Sequence, residues 1–149
     1  MSGISISTAA PEELVLTALT HLMRGQIEEV TASFAEEFRF KDQGIGLEFT
    51  DKQRLAEFLQ KARDLYPDSS LQTDNVFVSG DHVIIEWTLQ TAITEPFYAG
   101  LTRKRPISLP GASIVRTEDG KITSWSDYYD GLVSRRTALA SYFTEWLEY

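Results

Sequence analysis

Apolar positions recur at helical spacing early in the chain and at strand spacing late. Leu14, Ala18 and Leu22 fall every four residues, which makes one apolar stripe. Residues 11–34 therefore read as helical. Pro11 suits a first turn, and Glu12 and Glu13 suit the positive end of the helix dipole. Gly25 is placed to end a first helix, and a second short helix then carries Ile27, Val30 and Phe34. From Phe38 the period falls to two. Phe38, Phe40 and Asp42 share one face of a predicted strand, while Arg39 and Lys41 share the other. Gly44 and Gly46 bend the chain. Thr50-Asp51-Lys52-Gln53 has the form of a capping box, opening a helix with Leu55, Phe58, Leu59 and Ala62 on one side. Pro67 marks its end.

Strand signals dominate the second half. Val76-Phe77-Val78 runs into the turn Ser79-Gly80-Asp81. Val83 to Thr94 is long and rich in β-branched residues. Ile107 to Thr117 follows, with Pro110 and Gly111 suggesting a bulge or bend. Glu118-Asp119-Gly120 is a hairpin turn, and Lys121 to Asp130 is the last strand. Residues 132–147 return to helix, with Leu139, Phe143 and Trp146 at helical spacing. Helices early and strands late predict an α+β fold. A strongly bent antiparallel sheet wrapped around the N-terminal helices would form a cone with a pocket open at one end. No linker or repeat divides residues 1–149, so one domain is expected.

Composition narrows the partners. With 14 Lys and Arg against 22 Asp and Glu the net charge is −8, and the basic residues gather only at Arg103-Lys104-Arg105 and Arg135-Arg136. That balance argues against nucleic acid, whose phosphates need clustered cations, and against an anionic membrane surface. Cysteine is absent, which excludes disulfides, thiol nucleophiles and Cys-ligated metals. His21 and His82 are far apart and lack metal-ligand spacing, so no metal site is expected. No apolar run approaches membrane-spanning length and no signal peptide is recognisable, so the expected location is the cytoplasm.

Parity decides which side chains share a space. Trp125, Asp127 and Tyr129 face one way on the last strand. On the long strand Val83, Ile85, Trp87 and Leu89 form one face, and Glu86, Thr88 and Gln90 the other. If the aromatic faces line the cone, Phe40, Trp87, Trp125 and Tyr129 enclose two carboxylates, Asp42 and Asp127. Leu22, Phe58, Leu89 and His21, from the helices and the long strand, are the further expected wall residues. An unpaired carboxylate among aromatic rings is costly when ionised, so its pKa rises. Two close together tend to share a proton, which provides a base and an acid near neutral pH. The alternative for each is a turn or surface carboxylate satisfied by backbone amides. Tyr98 and the 97–105 segment read as a rim or lid, or as an ordinary basic loop, and Tyr66 as a helix-end anchor.

Phe34-Ala35-Glu36-Glu37-Phe38-Arg39-Phe40-Lys41-Asp42 resembles the helix-to-strand passage of the NTF2-like (cystatin-like) superfamily. That group includes ketosteroid isomerase, SnoaL-like polyketide cyclases and limonene-epoxide hydrolase. Asp119-Gly120-Lys121-Ile122-Thr123-Ser124-Trp125-Ser126-Asp127-Tyr128-Tyr129-Asp130 resembles the last strand of the SnoaL and epoxide-hydrolase branch. The order of elements agrees over nearly the whole chain. The resemblance implies that Asp42 stands where the isomerase keeps its general base. The places of the isomerase's oxyanion hole, counted from Gly25 and Ile122, hold Ala18 and Ala112. Asp127 falls where the hydrolase activates water, but Phe40 and Asp42 replace that water's Tyr and Asn. Trp87 and Leu89 replace the Arg and Asp that would protonate an epoxide. What the resemblance leaves is the Asp42/Asp127 pair in an aromatic cup.

The expected function is thus cofactor-independent acid/base catalysis, an isomerisation, cyclisation or elimination, on a small hydrophobic polyketide-, steroid- or terpenoid-like substrate. The alternative is a non-catalytic module that binds an apolar ligand or a second subunit. Pairing of two copies through the outer sheet face is expected in either case.

Overall fold

The structure is a computed structural model that describes residues 10–131. The helix expected over 132–147 lies outside the described residues.

Helix α1 (Pro11–Met23) has Pro11 in its first turn beside Glu12 and Glu13. Its buried side is Val15, Ala18 and Leu19, one position round from the expected stripe, and Leu14 and Leu22 are only partly buried. Gly25, at φ +72°, turns the chain out of the helix. Helix α2 (Ile27–Ala32) is shorter than its pattern predicts. Ser33 ends it by turning its hydroxyl and its amide back onto the Val30 carbonyl, at 2.5 and 3.1 Å. Phe34 consequently opens strand β1 (Phe34–Asp42) instead of closing a helix, and its ring meets Phe38 edge-on at 5.1 Å.

A turn at Gln43–Gly46 leads into β2 (Leu47–Phe49), a short strand that the two glycines had masked as a mere bend. It pairs antiparallel with β1, Phe40 opposite Phe49. Helix α3 (Lys52–Leu65) is capped by Asp51, whose carboxylate accepts from the Arg54 amide at 2.9 Å. The cap is thus one residue later than the expected Thr50. Leu55, Phe58 and Leu59 are its buried face, and Phe58 reaches Phe49 at 4.9 Å.

Strands β3 (Ser70–Ser79), β4 (His82–Tyr98), β5 (Leu101–Glu118) and β6 (Lys121–Tyr129) follow as hairpins. Ala99-Gly100 and Asp119-Gly120 have positive φ at both residues, the geometry that matches strand twist in two-residue loops. The six-stranded sheet runs β2-β1-β6-β5-β4-β3. Every neighbouring pair is antiparallel except β1 and β6, which run parallel, so the sheet departs from the all-antiparallel expectation at that seam. The fold is α+β, with a bent open sheet whose inner face packs on the helices. Phe40 stacks on Trp125 across the parallel seam, rings 6.4 Å apart and 20° from coplanar.

Pairing of β4 with β5 continues through Pro110 and Gly111 without a shift, so no bulge forms there. Gly111 has a different reason: a Cβ at this position would lie 2.3 Å from the Trp87 ring. The β4–β5 hairpin projects beyond its neighbours, and Phe97, Tyr98 and Leu101 are exposed at its tip. Glu95 there holds Arg103 and Arg105 at 2.8 and 3.1 Å. Residues 97–105 are therefore the tip and paired strands of a hairpin arm, not an irregular loop. No helix among the described residues is long and apolar enough to cross a membrane.

Candidate active site

A cavity of about 200 Å³ lies between the inner sheet face and helices α1 and α3. Strand β4 contributes Trp87 and Leu89 to its wall, β1 contributes Phe40 and Asp42, and β6 contributes Trp125, Asp127 and Tyr129. Leu22 comes from α1 and Phe58 from α3. His21 is the exception among the residues expected there. Its position on α1 turns it to a shallow groove on the outer side, and its Nδ1 meets Gln26 Oε1 at 2.7 Å. His82 lies in its turn against Asp81 at 2.7 Å, half exposed.

The two carboxylates meet because the parallel seam sets Asp42 opposite Asp127. Paired residues on adjacent strands point the same way across a gap of about 4.8 Å. Gln43 donates its amide to the Asp127 carbonyl at 2.9 Å and continues the seam past the strand end.

Asp127 is held by side chains. Its Oδ1 accepts from the Ser113 hydroxyl at 2.5 Å and from Trp125 Nε1–H at 2.7 Å. Ser113 Oγ in turn accepts from Trp87 Nε1–H at 2.9 Å. A serine hydroxyl has one proton. With an indole donating to its oxygen, that proton is directed to Asp127. Both described bonds fall on Oδ1, which leaves Oδ2 as the oxygen for proton exchange. Burial pushes the Asp127 carboxyl up to about 7, the Asp42 charge adds to the rise, and the Ser113 and Trp125 bonds oppose it. The residue is partly accessible, and it lines the cavity.

Asp42 is held by a turn. Its Oδ1 accepts from the Ile45 amide at 3.1 Å and from the Tyr129 hydroxyl at 2.6 Å. Burial raises this carboxyl too, opposed by Tyr129 and by the backbone amides of Ile45 and Gly44. Gly44 permits the arrangement, because a Cβ there would lie 2.2 Å from the Tyr129 ring.

Polar residues beyond those expected also belong to the site. Arg63 in the last turn of α3 and Tyr66, the C-cap of that helix, line the cavity, and Ser113, buried on β5, reaches Asp127. The sequence carries no signal for Ser113, since counting back from the Asp119-Gly120 turn sets Ala112 opposite Asp127. Arg63 reads in the sequence as an ordinary cation at a helix C-terminus.

The arrangement is matched elsewhere at the level of fold. A SnoaL-like domain model matches residues 15–125. A proposed SnoaL-like polyketide cyclase from Jannaschia sp. CCS1 superposes with a TM-score of 0.74 at 17% identity, covering 94% of this chain and 99% of its own. A proposed polyketide cyclase from Xanthomonas campestris pv. campestris gives 0.68 at 24%, covering 80% and 89%. A ketosteroid isomerase-like protein from Catenulispora acidiphila, solved in complex with trimethylamine, gives 0.66 at 22%, covering 78% and 85%. No curated protein matches. At these identities the structural likeness is one of fold, and the domain match supplies the family: the chain belongs to the SnoaL-like family of the NTF2-like superfamily.

Proposed function

We propose that the protein is a cofactor-independent acid/base catalyst, an isomerase, cyclase or lyase, for a small hydrophobic polyketide-, steroid- or terpenoid-like substrate. The observation that carries this reading is Asp127, a carboxyl poised near 7 inside an apolar cavity, with one oxygen fixed and one open. Such a group is available in both protonation states near neutral pH, so it can take a proton as base and return it as acid. A cavity of about 150 Å³ holds benzene. At about 200 Å³ this one favours compact ring systems over large polycycles.

In the proposed step Asp127 removes a proton α to a carbonyl. The C–H bond pair becomes the enolate, and the new carboxylic acid returns the proton to the same or a vinylogous carbon. Asp42 is the paired group that tunes it. The test needs no knowledge of the natural substrate: exchange of the α-protons of 2-tetralone in D2O, followed by NMR. The protein is expected to accelerate exchange, and Asp127→Asn to lose about 10²–10⁴-fold of that acceleration. Exchange no faster than buffer, or undiminished in the variant, overturns the assignment.

A second reading, ligand binding without turnover, draws on the same walls. Carboxylates beside aromatic rings also suit a small amine, and one fold neighbour is a trimethylamine complex. Binding of trimethylamine to this chain with no tetralone exchange favours that reading. In either case the outer sheet face is where we place a second copy. Phe77, Ile84 and Ile114 support this, since they align across β3, β4 and β5 and are exposed. Light scattering of Ile114→Lys against the unaltered chain tests it, and a dimer that persists in the variant argues against this face.

A further inference from the structure

Arg63 lines the cavity from the last turn of α3, the one cationic residue in its described wall. Its Nη1 is buried and has no hydrogen-bond partner among the described residues. A buried donor left unpaired costs free energy, more when it is charged, and native structures keep few such groups without a reason.

The neighbouring acceptors have partners of their own, and no described hydrogen bond or ion pair joins any of them to Arg63. The guanidinium lies beside Gly25, where a Cβ would be 3.6 Å from Nε. There the last carbonyls of α1 already receive amides: Thr20 from Arg24, His21 from Gln26, Leu22 from Gly25. Ser69 and Thr91, on the same wall, bond each other at 2.8 Å. Asp42 is bound by Tyr129 and its turn, and Asp127 by Ser113 and Trp125. No described residue therefore supplies the missing partner.

We propose that Arg63 anchors an anionic oxygen of the ligand, a carboxylate or phenolate, while the ligand's ring body packs on Trp87 and Trp125. The planar guanidinium suits a carboxylate bidentately, and the apolar surround strengthens the bond by excluding water. This inference rests on the reading of the cavity as a ligand site, and narrows its ligands to compact apolar acids.

The test compares 2-naphthoate with neutral 2-naphthamide by calorimetry, on the full chain and on Arg63→Met. The unaltered protein is expected to hold the carboxylate at least about tenfold more tightly, the range of a charge-assisted pair. Arg63→Met is expected to abolish that preference while binding the amide within about twofold. Without ligand the variant is expected to melt no lower than the parent, since the atoms it loses had no partner among the described residues. Three results overturn the proposal: no preference for the carboxylate in the unaltered protein, a preference that survives in the variant, or a variant that melts well below the parent. Tetralone exchange is read separately. In the unaltered protein, absence of the carboxylate preference with exchange intact refutes Arg63 alone, whereas absence of exchange with the preference intact refutes the acid/base reading alone.

Discussion

Asp42 and Asp127 are cross-strand neighbours on one cavity wall, yet they are held in opposite ways. Asp42 ends its strand and holds a backbone turn, as an aspartate in any tight turn does. Asp127 lies within its strand and is gripped only by side chains, Ser113 and Trp125, themselves tied to the aromatic wall. A turn needs its carboxylate wherever it occurs. A serine and an indole brought to one oxygen of a buried carboxyl serve no turn, and what they do is orient it. The comparison separates a carboxylate kept for the chain from one kept for the cavity, although burial raises both.

The sharpest way to break that distinction is to remove each charge in turn. Asp127→Asn is expected to lose the 10²–10⁴-fold typical of a general base. Asp42→Asn keeps an acceptor oxygen for Ile45 and Tyr129 and should lose about tenfold or less. Equal losses in tetralone exchange would make the two carboxyls one functional unit and end the contrast.

Stability against pH sharpens it next. The folded protein holds the Asp127 proton up to about 7, while the unfolded chain releases it near 3.8. Between those values the folded state binds more protons, so stability falls as pH rises, by up to about 4 kcal/mol at 1.36 kcal/mol per pH unit. Asp42 adds a contribution of the same sign. Asp81 and Glu95, lowered by their arginine partners, act in the other direction and only below the ordinary carboxylate range. Melting temperature is thus expected to drop from pH 5 to pH 8, and Asp127→Asn to flatten most of that slope. A slope unchanged in the variant would place the titration elsewhere.

How much of this was legible before the fold was known follows the same division. Period-two alternation sufficed to gather Phe40, Trp87, Trp125, Asp127 and Tyr129 on one side, because parity is local. The grip on Asp127 was not legible. Counting back from the Asp119-Gly120 turn sets Ala112 opposite Asp127, but a register shift at Arg116/Thr117 moves the pairing by one and brings Ser113 there. A bulge is decided by tertiary packing, and no residue in the stretch announces it. His21 failed for the converse reason: one position along a helix is about 100° of rotation, enough to carry it from the cavity to the outer surface. Arg63 was invisible because a cation at a helix C-terminus already has an explanation.

Ser113→Ala tests the grip itself. It removes a bond that holds the Asp127 pKa down and leaves the Trp87 indole N–H without its acceptor. The cost in stability is expected at about 1–3 kcal/mol, the range for a buried donor left unpaired. The pH midpoint of exchange should move upward. A midpoint that stays in place or falls would mean that Ser113 serves packing alone.

Tyr129→Phe is the smallest change and the most discriminating. It removes one hydrogen bond from Asp42, worth about 1 kcal/mol or a little more for a charged acceptor. With that bond gone Asp42 holds its proton to higher pH, since the Tyr129 bond was lowering it. A neutral Asp42 no longer repels the charge on Asp127, and that repulsion is part of what lifts Asp127. The exchange midpoint should therefore move down, opposite to the shift in Ser113→Ala, while the carbon-13 titration of Asp42 moves up. Two hydroxyls removed from around one pair of carboxyls would thus shift the same titration in opposite directions. If both variants move it the same way, the two carboxyls do not communicate, and the seam between β1 and β6 joins two independent groups.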